Sequence, residues 1–72
     1  MNKPVIHFRS RHETGNIFVI LAMVLRALQE QGRADEFNGI RDRVTASKSY
    51  REALDVIWET VDLVDDDEEE KQ

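Results

Sequence analysis

Residues 17–25 read IFVILAMVL, nine in a row without a polar side chain. No other stretch limits the fold so strongly. The run opens on β-branched and aromatic residues, which suit a strand. The apolar pattern continues through Ala27 and Leu28, too far for a typical strand, and Ala, Met, Leu, Arg and Gln favour helix. One helix is therefore expected over residues 16–31. Thr14 or Asn16 can cap its start, because a short polar side chain accepts from a free first-turn amide. Gly32 fits the left-handed position after the last turn. Crossing a membrane takes about 20 apolar residues, and Arg26 interrupts this run after nine. A signal peptide is not expected, since Glu13 precedes the run and no small-residue cleavage site follows it.

A helix apolar on one stripe needs one neighbouring surface, whereas one apolar all round must be enclosed. A chain of 72 residues buries only about 60% of its unfolded surface and is marginal without help. It has no cysteine, hence no disulfide to help it. The expectation is a helix buried on most of its circumference, with other copies of the chain supplying the missing wall. The expected partner is therefore the chain itself, in a homodimer or higher oligomer.

Around that helix the chain reads as mainly α. Val5, Ile6, His7, Phe8 and Arg9 alternate and suggest a short N-terminal strand, with Pro4 tolerated at its start. Phe37, Ile40 and Val44 mark one stripe of a second helix, about residues 35–43. Gly39 either weakens it or lets another backbone approach. Ser49 and Glu52 form a capping box for a third helix, about residues 49–61. Residues 61–64 also alternate, so they fit either a continuation of that helix or a strand pairing with the first. The expected core is Ile6, Phe8, Phe18, Leu21, Val24, Leu25, Leu28, Phe37, Ile40, Leu54, Ile57, Trp58 and Val61.

The net charge of −5 is unevenly placed. Residues 65–72 hold six acids and one base, and the other nine acids and nine bases cancel. Residues 1–64 are thus expected to form one small, neutral helical domain. Residues 65–72 are expected to be a disordered acidic tail, having no apolar residue and like charges throughout. Asp65, Asp66, Asp67, Glu68, Glu69 and Glu70 are the candidate partner-binding residues, by mimicry of phosphates or by occupying a basic groove; simple solubilisation is the competing reading. A neutral body with an acidic tail lacks the basic footprint of direct DNA binding.

The candidate ligand site is the start of the long helix. Free amides and the positive dipole end attract anions there. Gly15 and Asn16 open the helix, Gly15 admits a close backbone or phosphate, and Arg9, Arg11 and His12 add charge. A plain N-cap with solvated neighbours is the competing reading. His7, His12 and Glu13 match no standard zinc spacing, and no metal or cofactor is expected. Tyr50 and Trp58, two turns apart, suit core packing or stacking on a ring. No nucleophile–base set is legible, so an enzyme is not expected.

The pattern of Gly15-Asn16, Ile20-Leu21, Val24, Ala27-Leu28, Gly32 and Phe37, with Ser47 to Tyr50 before an apolar helix, resembles small uncharacterised proteins of phages and mobile elements. The likeness covers about residues 15–64. It implies a phage or mobile-element setting, brings no catalytic residues, and raises the class of counter-defence inhibitors. The function expected is a small, non-enzymatic, oligomeric binding protein in the cytoplasm of the host cell. It would block or sequester a host component, either a protein or a small anionic, nucleotide-like ligand. The alternative is an assembly component whose oligomer is its function.

Overall fold

A computed structural model describes residues 3–69, with the backbone alone for Glu68 and Glu69. The element order is β1 (Val5–Phe8), α1 (Ile17–Glu30), α2 (Phe37–Thr45), α3 (Tyr50–Trp58), β2 (Asp62–Asp65) and a closing turn, α4 (Asp66–Glu69). Short 3-10 turns, Glu13–Gly15 and Ala34–Glu36, lead into α1 and α2. The fold is mainly helical with one strand at each end, and no helix of the described residues is long and apolar enough to cross a membrane.

The strand alternative for residues 61–64 is the one that forms. β2 lies parallel to β1, with Val5 opposite Asp62, Ile6 opposite Leu63, His7 opposite Val64 and Phe8 opposite Asp65. A parallel pair needs a long crossover, and the three helices provide it. Continuing α3 would have left the amides of β1 without partners, a cost that pairing removes. α3 accordingly stops at Trp58, and Asp62 N–H donates to the carbonyl of Pro4 at 2.9 Å.

The caps follow local chemistry. Asn16 Oδ1 accepts from Phe18 N–H at 2.8 Å and opens α1. Gly32 has φ of +71°, and behind it Arg33 N–H donates to Leu28 O at 2.7 Å and Gly32 N–H to Gln29 O at 3.1 Å. That pair of bonds satisfies two of the last free carbonyls of the helix. Ser49 Oγ accepts from Glu52 N–H, while the Glu52 carboxylate takes the Lys48 amide, one residue upstream of the usual capping-box partner.

Within the single chain α1 buries one face. Ile20, Leu21, Val24 and Leu28 point into the core, whereas Phe18 is 67% exposed and Val19 37%. The rest of a chain this short walls α1 on one side alone. Trp58, also expected inside, is 49% exposed. Val61, just ahead of β2, and Leu63 within it enter the core, while α3 turns Ala53, Val56 and Ile57 inward and leaves Trp58 at the rim. Leu25, Phe37 and Leu54 are half-buried, and a Cβ built at Gly39 would meet nothing within 4 Å, so no backbone approaches there.

Candidate functional site: an internal carboxylate cradle

The residues between β1 and α1 coil into a tight loop. Arg9 N–H donates to Thr14 Oγ1 at 2.9 Å, His12 N–H to Arg9 O at 2.9 Å, and Gly15 N–H to His12 O at 2.9 Å. Thr14 thus serves the end of β1, and Asn16 alone caps α1. The coil is so close that a Cβ on Gly15 would stand 2.6 Å from Ser10 O and 2.7 Å from Ser10 Cα. Gly15 does admit a close backbone, that of Ser10. From α3, the Tyr50 hydroxyl donates to Gly15 O at 2.6 Å and clamps the loop. Burial, and secondarily the charge of Asp65, raise the Tyr50 phenol above its ordinary range. Gly15→Ala forces backbone atoms apart, so it should cost about 1–3 kcal/mol. A thermal melt reads that loss; a melting temperature equal to wild type would show the loop to be looser than this.

The loop closes around an anion, and the anion belongs to the chain. Asp67 is 2% exposed. Its Oδ1 accepts from Arg9 Nε at 3.0 Å, and its Oδ2 from the Arg11 amide at 2.7 Å. His12 Nδ1 lies 3.1 Å from the same Oδ2. Asp65 supports the arrangement: its Oδ1 accepts from the Asp67 amide at 3.0 Å and from the Ser10 amide at 3.2 Å. Beside them His7 Nδ1 lies 3.2 Å from Asp66 Oδ1. Burial pushes the Asp67 carboxyl up, but the Arg11 amide, His12 and Arg9 outweigh it and hold the group at about 2, below its ordinary 3.8.

Two sites expected to be separate are therefore one. Arg9, Arg11 and His12 meet the acids of the C-terminal segment, and Arg11 contributes its amide. Gly15 packs against the Ser10 backbone, and the Asn16 side chain caps α1. Asp65, Asp66 and Asp67 are not part of a disordered tail. Asp65 lies in β2, and Asp67 is buried because the loop after β1 offers it charge and amides that water would otherwise supply. The expected partner role of Glu68 and Glu69 falls on side chains outside the description, and Glu70 lies beyond the described residues altogether. Nothing local marks Asp67 in the sequence, where it is the third of three identical acids.

A carboxylate whose oxygens are both engaged and whose proton affinity is lowered is a structural anion, not a base or nucleophile. Among the described residues no three His, Asp or Glu side chains gather as a metal set. The solvent side of the cradle is a hollow of about 430 Å³ lined by Arg9, His12, Glu13 and Thr14. Compared with known proteins, the chain matches no family model, no curated protein and no solved structure.

Proposed function

We propose that the chain is a small, non-enzymatic, oligomeric binding protein of the phage or mobile-element kind, which blocks or sequesters a host protein in the cytoplasm of the host cell. One contrast supports a protein target over a small anion. The groups suited to an anion, Arg9, the Arg11 amide and His12, already hold Asp67, while Phe18, Val19 and Trp58 are left in water. Large apolar side chains exposed on a small body are the ordinary means of protein contact.

Native mass spectrometry of the purified chain tests this. The expected spectrum is a discrete oligomer without bound small molecules. A stoichiometric adduct of nucleotide mass on the wild type, lost on Asn16→Ala with Arg11→Ala, would overturn the protein-target reading in favour of the anion.

A further inference from the structure

The loop after β1 has a framework of its own, apart from Asp67. Arg9 N–H donates to Thr14 Oγ1, His12 N–H to Arg9 O and Gly15 N–H to His12 O. Gly15 packs on Ser10, the Tyr50 hydroxyl of α3 donates to Gly15 O, and Asp65 of β2 takes the Ser10 amide. None of these contacts involves α4. They set Arg9 Nε, the Arg11 amide and His12 Nδ1 around one carboxylate position.

The occupant is held far less broadly. α4 runs from Asp66 to Glu69 and has no apolar residue. A single helical turn does not stand on its own hydrogen bonds, and no apolar side chain ties this one to the core. α4 rests on β1. Besides Asp67, its described side-chain contact is the pair of His7 and Asp66, whose side chains are 63% and 41% exposed. A pair so exposed adds little. Among the described side chains of α4, Asp67 is therefore the fastening.

We propose that Asp67 is a displaceable stand-in. An acidic segment of the protein partner enters the cradle in its place, and the C-terminal segment leaves. This rests on the protein-target reading above and names the chemistry of the contact. Charge complementarity selects the occupant. The loop sets Arg9, Arg11 and His12 against one acid, Glu13. The Arg11 guanidinium is exposed and has no ion pair among the described residues. The hollow of about 430 Å³ beside Arg9 and His12 gives room to the residues that flank an incoming carboxylate. A tether gives Asp67 an effective concentration in the millimolar range, so a lone small anion competes poorly. A segment with several acids engages the cradle and the Arg11 guanidinium together, which Asp67 does not.

Nuclear magnetic resonance of the full chain, titrated with the end-blocked peptide DDDEEE (the sequence of residues 65–70), provides the test. In the wild type the peptide is expected to quicken hydrogen exchange of the Asp67 amide, which is bonded to Asp65 Oδ1 at 3.0 Å. The Arg11 amide should stay slow, because a new carboxylate takes it. Asp67→Asn empties the cradle, so it should bind the peptide at least ~10-fold more tightly than the wild type, and adding Arg9→Gln should remove that gain. Wild-type amides that ignore the peptide overturn the displacement, whether or not the variant folds. Equal affinity of wild type and Asp67→Asn for the peptide overturns it too. Both results spare the protein-target reading, which stands on the exposed apolar side chains. Inorganic phosphate bound by Asp67→Asn as tightly as the peptide overturns both.

Discussion

Leu28→Ala should lower the stability of this chain by about 2–5 kcal/mol, the range for emptying a leucine site in a closed core. Leu28 is 0% exposed, and its carbonyl also receives the Arg33 amide that closes α1. A domain of this length has a net stability of about 4–11 kcal/mol, so the variant stands near the edge of folding. Each kcal/mol displaces the midpoint by about 4–8 °C at this size. A thermal melt should therefore fall by tens of degrees or lose its cooperative transition. Leu25→Ala, at a half-buried position, should lose clearly less, and Phe18→Ala measured at concentrations where the chain is monomeric should lose almost nothing. Equal losses at the three positions would mean that α1 is enclosed on all sides within one chain, contrary to the single buried face described above.

Asp67→Asn is expected to release the C-terminal segment from the loop after β1. Asparagine offers one acceptor oxygen where the carboxylate offered two, and its amide group points donors at the donors of Arg9, Arg11 or His12. Leaving buried polar groups facing one another costs more than the bond was worth. The Arg11 amide, bonded to Asp67 Oδ2 at 2.7 Å, is the local reporter. Its hydrogen exchange should quicken at least ~10-fold in the variant.

The dependence on pH follows from the same contacts. The Asp67 carboxyl is held at about 2 in the fold against an ordinary 3.8. A group whose folded value is lowered contributes stability that is fully present above its unfolded value and is lost as pH falls through the folded one. The melting-temperature gap between wild type and Asp67→Asn should thus be constant above about pH 4 and shrink towards pH 2. A gap that stays constant down to pH 2 would show that the carboxylate charge is not what holds the segment.

The long helix, a polar cap at Thr14 or Asn16, its Gly32 stop, the Ser49 cap and a β1 strand with Ile6 and Phe8 inward all follow from local rules. Caps, left-handed glycine and side-chain period depend on residues within a few positions, so the sequence alone determines them. Four matters were decided by the tertiary structure. The first was whether residues 61–64 continue a helix or pair with β1, because both periods fit and only a strand at the far end of the chain breaks the tie. The second was which face of α1 is buried, since nine consecutive apolar residues carry no periodic signal to orient them. The third was the place of Trp58, set by where α3 stops.

The fourth was the fate of the charges. Arg9, Arg11 and His12 look like a waiting anion site, and residues 65–67 look like solvated tail, for as long as they are read separately. Electrostatic pairing depends on distance in space, and Arg9 and Asp67 are 58 positions apart in the chain. The parallel register of β1 and β2 brings the two segments side by side, and burial then makes one carboxylate the anchor of the loop.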